Sequence, residues 1–270
     1  MALKDLARQV IPYGICEYSI RRHEYMRLGF DAYTASRVAF SSRQYRDLLE
    51  ARLNLLPRYI LSRLATCVDA GAHAGKWTKT LLDLFHPQRV IAVECDPRMV
   101  DPLKARFNGC GRVSVVDAAL AEGEGATNFY QLRHPAGSSL LKPRDEIKKE
   151  LLATSWDLVG TVDVRKIGYD QLVAGEEEIS ILKIDIQGAE MAVLTSSREG
   201  LRKTKSIIME VTFVSHYEED SGFPELHQLM RRQGFGLYRL SAPYERGGRV
   251  LYSDAVYVRE EILQELAPAR

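Results

Sequence analysis

The stretch Cys67-Val-Asp-Ala-Gly-Ala-His-Ala-Gly75 decides the fold. An apolar run stops at Asp69, small residues follow, and the glycines Gly71 and Gly75 stand four apart. The pattern reads as a buried strand, "ATCVDA", that turns through glycine into a helix, "KWTKTLLDLF". Such a turn lets the backbone approach a ligand, and the helix N-terminus favours an acceptor-rich group. A dinucleotide site wants G-x-G-x-x-G around a pyrophosphate. Here the order is D-x-G-x-x-x-G, with an acid in place of the first glycine. An anion there repels a pyrophosphate and suits a cofactor that carries an ammonium and a positive sulfonium.

The next strands extend this reading. "RVIAVE" ends at Glu94, whose carboxylate can accept both hydroxyls of a ribose, although nicotinamide sites use an acid there too. "RVSVVDAAL" brings Asp117, Ala118 and Ala119 to an adenine edge. The three strand ends together point to S-adenosylmethionine. A nicotinamide-dependent oxidoreductase and a strand–turn–helix without any cofactor are the alternatives.

Outward from this point, short apolar runs alternate with helical spacing. "PRMVDPLKARF" opens a helix with Pro97 in its first turn, "ISILKID" is a strand and "GAEMAVLTSS" a helix. "KSIIMEVTF" is a strand, "FPELHQLMRRQG" a helix closed by Gly234, and "FGLYRL" and "DAVYVR" are the last strands. This alternation predicts an α/β fold, a doubly wound and mostly parallel sheet covered on both faces, with ligands at the carboxyl ends of the strands. Residues 121–178 break the rhythm with turn residues, a short hairpin and a charged helical piece, and read as an insertion near the ligand edge.

Residues 1–60 read as a helical extension to a domain over 61–270. From Met1 to Leu64 there are 11 Lys+Arg against 6 Asp+Glu. Three readings fit: a cover for the sheet or a homodimer contact, a lid whose arginines face an anionic acceptor, or a helix lying on a membrane surface.

Composition sets the outer bounds. The chain has 270 residues, 46% of them hydrophobic, enough for a sizeable core. Its net charge of +1 gives no reason to propose a nucleic-acid partner. Cys16, Cys67, Cys95 and Cys110 form no C-x-x-C pair, so reduced thiols are expected and a structural zinc site is not. The early residues lack a long apolar core of a secretory signal, and no run approaches the roughly 18 apolar residues of a spanning helix. A soluble, cytoplasmic protein is the expectation.

At "ILKIDIQGAE", Ile181–Glu190, the reading becomes specific. Together with "VDAGAHAGKWT", "VIAVECDP", "GSSLL" and "SIIMEVTF", it resembles the FkbM family of S-adenosylmethionine-dependent methyltransferases over about Ala65 to Val214. The K-I-D-x-x-G-A-E signature carries most of the specificity. His73 departs from the family, which more often has asparagine there. The resemblance implies a Rossmann-like, seven-stranded sheet with a reversed final strand, and O-methylation of a hydroxyl on a sugar or polyketide. It implies that Asp69, Gly71, Ala72, His73 and Gly75 line the methionine part of the cofactor, that Glu94 holds the ribose, and that Asp117 and Ala118 flank adenine. Ser138 and Ser139, in "GSSLL", are expected near the cofactor or acceptor.

Methyl transfer from a sulfonium needs an oriented acceptor oxygen and a group to take its proton. Asp185 ends a strand beside the expected methyl and is the first candidate for base, metal ligand or cofactor contact. Lys183 lies on the same strand face and needs a partner, Asp185 or Glu210. Glu210 is an acid inside an apolar strand and is expected at the site. His216 is a second candidate base, against a solvated loop histidine; His23 and His134 rank below it. Glu190 suits a helix start without catalysis. Asp185 and Glu210 could hold a magnesium ion together with acceptor hydroxyls. The favoured function is methylation of a sugar hydroxyl of a surface glycan or its precursor. Methylation of a polyketide or lipid hydroxyl and a non-catalytic binding protein on the same fold are the alternatives.

Overall fold

The computed structural model describes residues 50–146 and 156–266. Most of the basic N-terminal segment therefore lies outside the described residues, as do Cys16, His23 and most of the charged piece near residue 150. The chain from Ala51 onward already belongs to the core. Leu53, Leu56 and Ile60, the last on the short helix α1 (Arg58–Leu61), are buried, and Trp77 Nε1 donates to the Ala51 carbonyl at 3.0 Å.

The central strand is β1 (Thr66–Ala70), buried at all five positions. A strand covered on both faces has no use for alternation, and Cys67, Val68 and Ala70 face both sides while the buried Asp69 needs a partner. Helix α2 (Lys76–Phe85) leads to β2 (Arg89–Glu94), and α3 (Pro97–Arg106) to β3 (Val113–Asp117). Asp96 caps α3, its side chain accepting from Arg98 N–H at 3.0 Å with Pro97 as the first helical residue.

Residues after β3 form a separate three-stranded sheet. In it β4 (Ala119–Leu120) pairs with β6 (Leu158–Ile167), and β6 pairs in antiparallel register with β5 (Gly125–Leu132). The anticipated short hairpin is thus a ribbon of eight- and ten-residue strands. The stretch read as an insertion to 178 ends sooner. On α4 (Tyr169–Leu172), Tyr169 is buried in the main core, and its hydroxyl meets Thr204 Oγ1 at 2.8 Å.

The main sheet resumes at β7 (Ile179–Ile184). The helices α5 (Glu190–Ser196) and α6 (Arg198–Lys203) follow, then β8 (Ser206–Thr212) and α7 (Phe223–Arg232). It closes with β9 (Phe235–Leu240), β10 (Tyr244–Arg246), β11 (Arg249–Arg259) and α8 (Glu260–Leu266). The order is β10-β11-β8-β7-β1-β2-β3, with β9 also on β11. The expected doubly wound sheet is present, parallel from β3 to β8 and reversed at β11. An eighth strand departs from the expected seven. β10 and β11 are joined through Gly247 and Gly248, both with positive φ, the two-residue turn that suits strand twist. Apolar side chains pack on both faces of the sheet, around Cys67, Ile181 and Val256 on one and Val68, Leu182 and Met209 on the other. Among the described residues no helix is long and apolar enough to cross a membrane.

Candidate active site

β1 and β7 are neighbours with Asp69 level with Lys183, and both strands stop at the same edge. Gly71 turns there with φ +72°, and a Cβ on it would stand 1.9 Å from the Asp185 carbonyl oxygen. Only glycine lets the two strand ends meet. Gly75, also at φ +72°, serves packing instead: its missing Cβ would strike Phe107 and Leu103 of the α3 region at 2.5 and 2.8 Å. The turn amides are used up, since Gly71 and Ala72 N–H both donate to the Val93 carbonyl.

A cleft of about 600 Å³, measured out to its open mouth, lies over this edge. Gly71, His73, Glu94 and Asp185 supply its polar wall, and Val93, Leu120, Phe129, Leu140 and Ile186 its apolar one. Glu94 is 8% exposed. Its carboxylate accepts from the N–H groups of His73 (2.6 Å), Cys95 (2.9 Å) and Asp96 (2.8 Å). Burial raises its pKa, and those three donors act against the rise. His73 sits at φ +49°, a conformation that asparagine and histidine tolerate better than most residues. Burial depresses its pKa, so the ring is neutral, and its buried Nε2 has no hydrogen-bond partner among the described residues.

Asp69 is not part of the cleft wall. It is fully buried behind Gly71, accepting from Thr78 Oγ1 at 2.7 Å and pairing with Lys183 Nζ at 3.3 Å. Lys183 also donates to the Gly71 carbonyl at 2.9 Å and lies 3.5 Å from Asp185 Oδ2. Burial pulls the Lys183 pKa down, but the Asp185 and Asp69 carboxylates outweigh it and the net shift is upward. The lysine is a fixed cation that ties β1, the glycine turn and β7 together. Asp117 also lies outside the cleft, its carboxylate turned to Lys104 Nζ at 2.9 Å; Ala118, next to it, does line the wall.

Asp185 stands at the mouth with its side chain 41% exposed. Gln187 Nε2 donates to its Oδ1 at 2.6 Å. Gln187 is held in turn: Tyr217 Oη donates to its side-chain oxygen at 2.9 Å, and Ser139 Oγ donates to its backbone carbonyl at 2.6 Å. Ser139 thus anchors the loop after β7, while Ser138 lines the cleft and accepts from Leu132 N–H and Arg98 Nη2, both at 3.0 Å. Glu190 is 5% exposed and accepts from Ile186 N–H at 2.9 Å. Burial pushes its pKa up to about 7. It braces the same loop from below.

A second cleft, about 920 Å³ to its open mouth, adjoins the first and shares Ala136 and Gln187 with it. Glu210 and His216 belong here, with His134 at the rim. The Glu210 carboxyl group has no hydrogen bond among the described residues, while its backbone lies in the β8–β11 ladder. Burial raises its pKa, and the negative charges of Asp185, Asp254 and Glu190 add to the rise. His216 is a buried ring, 3% exposed rather than solvated, set edge-on to Trp156 at 5.8 Å and to Tyr252 at 5.9 Å. Sequence reasoning missed Gln187, Tyr217, Trp156, Tyr244 and Tyr252. For the last two a signal was present: Gly247-Gly248 between Tyr244 and Tyr252 is a hairpin pattern.

Among the described residues no three histidine, cysteine, aspartate or glutamate side chains come together at metal-holding spacing. The described cysteines, Cys67, Cys95 and Cys110, are free thiols, and burial pushes the first two thiols' pKa values up.

A family model described as the methyltransferase FkbM domain matches residues 69–237. A curated relative, the 2-O-methyltransferase NoeI of Sinorhizobium fredii, is 24% identical over 158 residues, 56% of this chain. The match spans 65% of that relative's length. Among solved structures, the FkbM methyltransferase of Methylobacillus flagellatus gives a TM-score of 0.45 at 14% identity, over 89% of this chain and 59% of its own. The magnesium protoporphyrin IX methyltransferase of Synechocystis, with bound SAM, gives 0.45 at 11% identity, over 96% and 98%.

Proposed function

This chain belongs to the methyltransferase FkbM domain family, and we propose that it transfers a methyl group from S-adenosylmethionine to a hydroxyl of a sugar, in the making of a surface glycan. The observation that carries this reading is the junction of two clefts through Ala136 and Gln187, with Asp185 in one and Glu210 in the other. A donor site and an acceptor site must meet in this way for direct transfer.

The first cleft fits the cofactor by its own chemistry. Glu94 Oε2, which accepts a single N–H, retains an acceptor position for a ribose hydroxyl. His73 Nε2 is a buried polar atom with no hydrogen-bond partner among the described residues, and Gly71 lines the same cleft. The apolar wall with Ala118 suits a flat purine. S-adenosylmethionine, when bound, supplies a methyl carbon already activated by a positive sulfur. Asp185, held by Gln187 Nε2 at 2.6 Å and 3.5 Å from Lys183 Nζ, sets its carboxyl group in the wall of that cleft. The Glu210 carboxyl group, not engaged by any hydrogen bond among the described residues and with a raised proton affinity, is suited to take the proton of the acceptor hydroxyl.

The name of the curated relative supports oxygen as the accepting atom. The test is calorimetric titration with S-adenosylhomocysteine, wild type beside Glu94→Ala, followed by detection of S-adenosylhomocysteine release with a panel of methyl glycosides. Micromolar binding that the variant loses, and release with at least one glycoside, are expected. No binding by the wild type would overturn the cofactor, and binding without release on any hydroxylated acceptor would overturn the transfer.

A further inference from the structure

The two clefts differ in their walls. The first is half aliphatic. The second, among the described residues, has Ala136 as its one aliphatic side chain; the rest is aromatic or polar. Trp156, His216, Tyr252 and Tyr244 follow one another as a continuous aromatic wall. Trp156 and His216 meet edge-on at 5.8 Å, His216 and Tyr252 at 5.9 Å, and Tyr252 and Tyr244 stack at 4.9 Å with ring planes 16° apart. Tyr244 and Tyr252 are cross-strand partners of the β10–β11 hairpin, the addition to the seven strands, and Tyr244 is 42% exposed. Gln187, shared with the first cleft, and Glu210 also line this one.

An acyl or polyketide chain gains from aliphatic walls, and among the described residues of this cleft only Ala136 offers one. A sugar ring has an apolar C–H face and a polar rim. It gains from a flat aromatic face with hydrogen-bonding groups at the edge, because a buried hydroxyl without a partner is costly. We infer that the second cleft is a saccharide subsite in which the Tyr244–Tyr252 pair supports the ring face while Gln187 and Glu210 meet the hydroxyls. The inference rests on the transfer to a sugar proposed above and adds where the sugar sits and which residues select it. The hairpin, not the common sheet, is then the specificity element.

The test uses the full chain saturated with S-adenosylhomocysteine and reads saturation-transfer NMR from methyl pyranosides and a short oligosaccharide, with dodecanol as a lipid probe. The proteins are wild type, Tyr244→Ala and Tyr244→Phe. Ring protons of at least one saccharide should respond with wild type, weaken about tenfold in Tyr244→Ala, and recover in Tyr244→Phe, a loss typical of one aromatic anchor. Affinity for S-adenosylhomocysteine, read by calorimetry, should stay the same in all three, which separates a lost acceptor site from a misfolded chain. Saccharide binding indifferent to Tyr244, or a response from dodecanol and no sugar, would overturn the inference and leave the cofactor reading standing. Failure of the calorimetric arm in the wild type would overturn the cofactor reading instead, with the saccharide arm still read directly.

Discussion

Lys183 Nζ stands 3.3 Å from the Asp69 carboxylate, a contact between neighbouring strands in which the acid is fully buried. The pair sits behind the glycine turn, so the acid that looks like a ligand group in the sequence is a structural counter-ion. Removing one partner of a buried pair leaves an uncompensated charge. Lys183→Met should cost about 3 kcal/mol or more in urea unfolding. Adding Asp69→Asn should return much of that loss. A single variant as stable as wild type would refute the pairing.

Gly71→Ala should be among the most damaging small substitutions. Its Cβ would overlap the Asp185 carbonyl, and its backbone is left-handed. Overpacking and the φ penalty together predict about 3 kcal/mol, along with loss of S-adenosylhomocysteine binding. Gly109→Ala, with φ +75° but open space around it, should cost only about 1 kcal/mol. Equal losses in the two variants would mean that conformation, not the close approach of β1 and β7, governs the turn.

Glu190 makes stability depend on pH. Its folded-state pKa is raised from 4.5 to about 7 by burial. The unfolded chain releases this proton first as pH rises, so the contribution is present below about pH 4.5, is lost between there and about pH 7, and stays lost above. Glu190→Gln keeps an oxygen for Ile186 N–H and removes the titration. The variant should gain stability over wild type as pH rises across that window, by about 3 kcal/mol at pH 8. Parallel stability curves for the two proteins would exclude a proton held by Glu190.

His73 offers a reading in the opposite direction. Burial lowers its pKa below 6.5, so the folded state resists protonation, and its contribution to stability is lost as pH falls below 6.5. His73→Asn, which restores the residue usual in the family, should remove that acid-side loss. Stability measured from pH 5 to 8 decides it: an unchanged acid limb in the variant would assign the loss to other groups.

Tyr217→Phe should loosen the junction between the clefts. The hydroxyl donates to the Gly137 carbonyl and to Gln187. Its loss should cost about 1–2 kcal/mol of stability and lower kcat more than it raises the KM for S-adenosylmethionine, since Gln187 orients Asp185. A KM effect alone would place Tyr217 in cofactor binding.

Much of the main sheet was legible from the chain alone. The periods of "TCVDA", "RVIAVE" and "ISILKI" and the turn residues between them are local properties. So is the need for glycine at a left-handed turn. Glu94, His73, Ala118 and Asp185 could be placed on one edge because each lies at or just after a strand end, and the topology gathers such ends. Local pattern also carried the reversed last strand, through resemblance to a family.

Partnership was not legible. Asp69 and Asp117 have the same strand-end signature as Glu94, yet one faces Lys183 across the β1–β7 register and the other faces Lys104 in solvent. Ser139 reads as a cofactor neighbour but pins Gln187, forty-eight residues on. Tyr244 and Tyr252 become one surface only after a hairpin pairs them. Sequence periodicity reports which side chains share a face of their own element. Which other element that face meets is set by register and packing over long separations, and that the tertiary structure alone decided.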